Sequence, residues 1–229
     1  MLCMKRGARQ QEFGFTNWGG KRRGAGRKPS GERARVSHAK RAKLAARFPV
    51  LVTMRLRAGL QSLRADDTHG LLKEAFVSGS SGSFRVVEYS VQSNHLHAIV
   101  EASDEIALSR GMNGLTTRIA RGLNRLWRRA GRVFDDRFHA RILRCPRAVR
   151  IALIYVLGNA RKHGAWRALA PDAYSSAPCF EGWKGGVEKG AESKPSMLER
   201  ARTWLLSIGW RRHGLIDPLE IPVEAEVWA

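Results

Sequence analysis

Ser93-Asn94-His95-Leu96-His97-Ala98-Ile99-Val100-Glu101 is the stretch that decides how this chain folds. Its surroundings are apolar or β-branched, with Val86, Val87, Tyr89 and Val91 before the histidines and Ile99 and Val100 after them. That composition predicts a strand, because branched and aromatic side chains suit a pleated, half-buried surface. Side chains alternate across a strand, so His95 and His97 share one face while Leu96, Ala98 and Val100 enter a core on the other. Two imidazoles side by side on a rigid strand make half a metal site. The plain alternative is a pair of neutral histidines, each satisfied by a hydrogen bond at a sheet surface.

Further along, Ile151 to Gly164 predicts a helix, with Pro146 in its first turn and Gly164 as its stop. Tyr155 and Asn159 are four apart and project from one face of it.

Outward from the histidines, Pro49 to Leu56 reads as a first strand and Leu63 to Val77 as a helix that ends before a Ser-Gly run. Phe84 to Val91 is a second strand, joined to the histidine strand by a tight turn at Gln92 and Ser93. Asp104 to Arg129 is a long helix whose Leu108, Met112, Leu115, Ile119, Leu123 and Leu126 step by four and three into one buried stripe. Phe134 to Arg144 alternates as a fourth strand. The order predicts an α+β fold, a ferredoxin-like βαββαβ antiparallel sheet with one added helix near the C-terminal end. Helices on one sheet face leave the other face for a site.

The chain has 229 residues, 43% of them hydrophobic, which is enough for one real core with tails on either side. We divide it into a basic arm (1–47), a central domain (48–165), and a linker with a C-terminal tail (166–229). Ser196 to Ile208 of that tail reads as a short amphipathic helix, with Trp204 and Trp210 as packing anchors. Lys and Arg number 41 against 20 Asp and Glu, a net charge of +21 that is the footprint of a polyanion partner. The sequence contains no apolar run of about 18 residues and no apolar segment near its start, so neither membrane insertion nor export is expected. Cys3, Cys145 and Cys179 are odd in number, far apart and without zinc spacing, which suits a reducing cytoplasm.

Two basic features point at phosphate. Arg118, Arg121, Arg125 and Arg128 form a stripe on the long helix without alternating acids to pair with, and predict a phosphate-facing surface. Residues 1–47 hold fourteen Lys or Arg against two Glu. Within them Arg22, Arg23, Arg27 and Lys28 lie among glycines, as in arms that follow a groove or a phosphate backbone. A solvated basic tail is the other reading of that segment.

His-hydrophobic-His on a strand, followed by a helix with a single Tyr, an amide one turn later and a Lys162-His163-Gly164 ending, resembles the Y1 HUH transposases. Within them it is similar to the REP-associated tyrosine transposases, a branch of the IS200/IS605-like group. Asn94 to Val100, Phe134-Asp135-Asp136-Arg137-Phe138-His139-Ala140 and Tyr155 to Gly164 carry the likeness, over roughly residues 47–165. Many relatives have Asn-Pro where this chain has Asn159-Ala160, so the helix is expected to run on unbroken here.

The resemblance implies a single-strand DNA nicking and strand-transfer enzyme acting on hairpin or palindromic DNA. His95, His97 and the Asn159 carbonyl oxygen would hold Mg²⁺ or Mn²⁺, whose open positions take phosphate oxygens. Tyr155 would be the nucleophile, forming a 5′-phosphotyrosine link and freeing a 3′-hydroxyl. A phenol of pKa near 10 is ionised only about once in a thousand at pH 7, so unassisted attack would give up about 4 kcal/mol. Lys162 and His163 stand where they would help bind phosphate or move the proton. No small-molecule cofactor is implied. The partner is single-stranded or hairpin DNA, and the state a monomer or homodimer. A non-catalytic nucleic-acid-binding protein of the same fold and a rolling-circle replication initiator are the alternatives.

Overall fold

The computed structural model describes residues 41–162, 171–185 and 198–220. Four strands, β1 (Val50–Arg55), β2 (Phe84–Val91), β3 (His95–Ala102) and β4 (His139–Ile142), form one sheet in the order β2-β3-β1-β4. Every neighbouring pair is antiparallel. Helix α1 (Asp66–Gly79) joins β1 to β2, and α2 (Glu105–Leu126) joins β3 to β4. This is the ferredoxin-like βαββαβ arrangement, and α3 (Pro146–Leu157) is the added helix.

The helices divide between the two sheet faces because both faces are apolar. Val50, Val52 and Met54 of β1 and Leu96, Ala98 and Val100 of β3 meet α1 and α2 through Leu72, Phe76, Met112, Leu115 and Ile119. Leu51, Val87 and Ile99, of opposite parity, meet α3 and the C-terminal segment through Leu153, Val156, Leu205, Leu206 and Trp210. The second face is therefore a core in its own right rather than a bare surface. At one end of the sheet Thr53, His95 and His97 interrupt its apolar residues, and at the other Arg85 and Glu101 form a buried ion pair. Helix α2 starts where Asp104 accepts the N–H groups of Ile106 (2.8 Å) and Ala107 (2.7 Å), a side-chain cap of the usual kind.

Several expected boundaries move for identifiable reasons. Helix α1 begins at Asp66, not Leu63; Ala65 ahead of it is extended (φ −127°, ψ 148°), and the Leu63 N–H donates to the Ser93 carbonyl at 2.9 Å. The fourth strand is confined to His139–Ile142. Ahead of it Phe134 makes one bridge to Leu56, and the Asp136 carboxylate accepts the Arg137 N–H at 2.8 Å, a local bond that competes with the ladder. Helix α3 stops at Leu157 despite the missing proline. Gly158 (φ −95°, ψ 2°) caps it, and Asn159–Lys162 starts a separate turn, α4.

The expected helix over 196–208 reduces, within the described residues, to α5 (Trp204–Ser207) followed by a 3₁₀ turn, Gly209–His213. Its start is set by the Thr203 hydroxyl, which accepts the Leu206 N–H. The preceding N–H groups of Arg202 and Thr203 are held by the buried Glu101 carboxylate of β3 at 2.8–3.1 Å. Those donors cannot also continue a helix. Among the described residues no helix is long and apolar enough to cross a membrane.

Candidate active site

The site is assembled on the α3 face of the sheet. His95 and His97 lie on that face as the alternation requires, with ring centroids 4.8 Å apart and planes at 80°. Cross-strand partners share a face, so the pairings Ser90 to His97, His97 to Thr53 and Thr53 to His139 place these four side chains in one row.

Both imidazoles are oriented through the same nitrogen. The Thr53 hydroxyl lies 2.8 Å from His97 Nδ1, and Asn94 Oδ1 lies 2.7 Å from His95 Nδ1. An amide oxygen only accepts, so His95 Nδ1 carries the proton in that bond and its Nε2 carries the lone pair. With Nδ1–H donated to Thr53, His97 takes the same tautomer. Oxygen partners on the far ring nitrogen are the usual way in which metal-binding imidazoles are aimed.

Tyr155 reaches the pair from α3. Its hydroxyl is 3.4 Å from His97 Nε2, and the two rings meet edge to face at 4.8 Å and 71°. Val149 and the whole run from Ala152 to Leu157 are buried, since α3 is clasped between the sheet and the C-terminal segment. Tyr155 is 5% exposed and His97 2%. Asn159 follows one turn after Tyr155, just past the Gly158 break. It is 1% exposed, and among the described residues neither its Oδ1 nor its Nδ2 has a hydrogen-bond partner.

An orphaned buried amide costs about 1–3 kcal/mol, and such a group calls for an explanation. An amide oxygen awaiting a cation supplies one. The donor set of two imidazole nitrogens and one amide oxygen suits a divalent ion that keeps open positions. Among the described residues no three His, Cys, Asp or Glu side chains gather as a metal cluster. Asn159, one turn after Tyr155 and with a buried amide oxygen, could supply a ligand of another residue type.

Other expected contacts are placed differently. Arg118, Arg121 and Arg125 are exposed on α2, but α2 packs on the opposite sheet face from Tyr155. Arg128 is off the helix altogether, past the cap at Trp127 and with φ of +48°. Lys162 ends α4, while His163 and the arm residues Arg22, Arg23, Arg27 and Lys28 lie outside the described residues.

Thr53 and His139 are site-face residues that the sequence reading passed over. The signal for Thr53 was present, a polar residue in phase with the histidines inside the otherwise apolar run Val50 to Met54. His139 is held below the ordinary imidazole pKa, first by burial and then by the charge of Arg41. Arg41 also lies over the Phe138 ring at 3.7 Å and donates to the Phe138 carbonyl at 3.0 Å.

A ferredoxin-like sheet bearing a histidine pair against a helix-borne tyrosine is the class of architecture that these elements define. The same fold occurs in a solved structure of a REP-associated tyrosine transposase bound to a REP hairpin. The two superpose with a TM-score of 0.52 at 17% identity, over 62% of this chain and 82% of that one. At that identity the match shows a shared fold. No protein-family model and no curated protein matches the sequence.

Proposed function

We propose that this protein is a metal-dependent enzyme that nicks single-stranded DNA and transfers the cut strand, acting beside a hairpin and using Tyr155 as its nucleophile. The observation that carries the reading is the approach of the Tyr155 hydroxyl to within 3.4 Å of His97 Nε2, with His95 alongside. A phenol beside a candidate metal-binding imidazole, on the face of a fold shared with a tyrosine transposase, supports the reading of attack at phosphorus.

His95 and His97, through Nε2, and Asn159, through Oδ1, would hold Mg²⁺ or Mn²⁺. When bound, the ion supplies Lewis-acid polarisation of the scissile phosphate. Tyr155 forms the new O–P bond, the 3′-oxygen of the preceding nucleotide leaves with the electron pair, and the phenolic proton passes to a base. Lys162 and His163, further along the chain from Tyr155, are the candidates for that transfer and for gripping phosphate. The product is a 5′-phosphotyrosine and a free 3′-hydroxyl. Attack by another 3′-hydroxyl on the same phosphorus restores the phenol and joins the strands without ATP. The basic arm and the α2 arginines supply further contacts to the hairpin's phosphates, and the protein acts in the cytoplasm as a monomer or homodimer.

The test is incubation with end-labelled hairpin DNA carrying single-stranded flanks and Mn²⁺ or Mg²⁺, followed by denaturing electrophoresis. A labelled band at protein mass that is lost in Tyr155→Phe is the expected result. Salt-sensitive binding with no covalent band in the wild type would leave a nucleic-acid-binding protein of this fold.

A further inference from the structure

The two tryptophans of the C-terminal segment do different things. Trp210 is 2% exposed and stacks against Phe180 at 5.6 Å in the core under α3. Trp204 is 45% exposed, although it begins α5 only one residue before the buried Leu205 and Leu206. Its ring rests on Gly209, where an added Cβ would lie 2.7 Å from the indole. The Arg212 guanidinium sits 4.8 Å above the ring. Ile208, four residues after Trp204, is 59% exposed. Arg211, Arg212 and His213 are exposed beside them.

An exposed indole and isoleucine pair demands a reason, since large apolar side chains are the ones folding most readily hides. We propose that the Trp204–Ile208–Arg212 face is a second contact for single-stranded nucleic acid, on which an unpaired base stacks while the arginines meet the adjoining phosphates. This rests on the reading of the chain as one that handles single-stranded DNA. Stacking on an aromatic ring beside guanidinium groups is the sequence-tolerant way of holding such strands. The chain's charge of +21 favours a polyanion over a neutral partner. A lipid surface also attracts Trp, Ile and Arg, but by way of a long amphipathic helix; α5 is a single turn of four residues.

The platform is fixed relative to the histidines. Glu101 is 2% exposed, pairs with Arg85 at 2.8 Å, and accepts the Thr203 N–H at 2.8 Å, one residue before Trp204. Glu101 lies four residues after His97 on the same strand and the same face, about 13 Å away at roughly 3.3 Å per residue. A strand a few nucleotides long spans that distance. One rigid strand thus carries both the candidate nicking centre and the anchor of the platform.

The experiment measures binding of the full chain to a fluorescein-labelled thymidine homopolymer of about twelve nucleotides, a length within the range that single-strand-binding modules cover. Trp204→Ala is expected to weaken binding roughly five- to a hundredfold, with Trp204→Phe close to wild type. Arg212→Gln should lower the slope of log affinity against log salt by about 0.7, one single-strand phosphate contact. In the wild type, a bromodeoxyuridine-substituted oligomer should photocross-link to the peptide containing Trp204, which needs no variant to fold. Unchanged affinity in folded Trp204→Ala, or a cross-link map that omits residues 203–213, overturns the proposal. So does a Trp204→Ala defect confined to phosphatidylglycerol vesicles, which would assign the face to a membrane. Covalent adduct formation by Tyr155 is scored separately. Loss of homopolymer affinity without any adduct in the wild type would sink the nicking reading and leave the platform standing, and the converse result does the reverse.

Discussion

Thr53 Oγ1 lies 2.8 Å from His97 Nδ1, so the neighbouring strand sets which nitrogen of that imidazole faces Tyr155. Replacing Thr53 with Val keeps the shape and removes the oxygen. The apparent affinity for Mn²⁺, read from a metal titration of adduct formation, should fall about 10–100-fold. Thr53→Ser should retain most of it. Equal loss in both variants would mean that packing at Thr53, not its hydroxyl, matters.

Asn159 supplies a test that needs no DNA. Its buried, unpartnered amide is a liability in the metal-free protein, so Asn159→Leu should melt no lower than wild type without metal. Added Mn²⁺ at about a hundred times its dissociation constant should stabilise the wild type by about 2.7 kcal/mol. The Leu variant should show no such gain. A metal-induced rise in melting temperature that survives the substitution removes Asn159 from the ligand set.

The histidine strand was legible because its period of two is absolute, and the register pairing Thr53 with His97 confirms it residue by residue. What the sequence did not disclose depends on distant partners. Glu101, about a hundred residues from Arg202 and Thr203, captures the N–H groups that a helix over 196–208 would need. Of the four stripe arginines, Arg118, Arg121 and Arg125 lie on α2 and Arg128 does not, and periodicity fixes the face of a helix and not the layer it joins. The packing of α2 and α3 into separate cores on opposite sheet faces puts α2 across the sheet from Tyr155. The end of α3 was misjudged for a local reason. Gly158, itself a common helix stop, ends the helix before Ala160 is reached.

Glu88 provides a pH signature of the linker's docking. Burial pushes its carboxyl up to about 7 against the opposing hydrogen bond from the Ser176 hydroxyl at 2.5 Å. A carboxyl whose folded pKa is raised binds protons more tightly in the native state. Its contribution to stability is therefore full below the unfolded value near 4.5 and is lost as pH rises through 7. Glu88→Gln removes the titration. Relative to wild type it should gain about 2 kcal/mol between pH 4.5 and pH 8, a figure reduced from the full shift because the residue is partly exposed. Urea melts of both proteins at the two pH values measure it, and parallel curves would show that Glu88 ionises normally.

The buried pair of Arg85 and Glu101 should be the most sensitive point for the C-terminal segment. Their side chains are 10% and 2% exposed, and the same carboxylate holds the Arg202 and Thr203 N–H groups. Removing one member of a buried pair strands the other charge, which costs about 3–5 kcal/mol. Glu101→Ala should lose about that much in a denaturant melt and also expose residues 198–220 to limited proteolysis. Glu101→Gln preserves the shape and an oxygen acceptor for the two N–H groups while discarding the charge, so it should protect the segment from protease better than Ala although Arg85 remains uncompensated. If both variants are cleaved equally fast, the segment is held by the ion pair's charge rather than by the hydrogen bonds to its backbone.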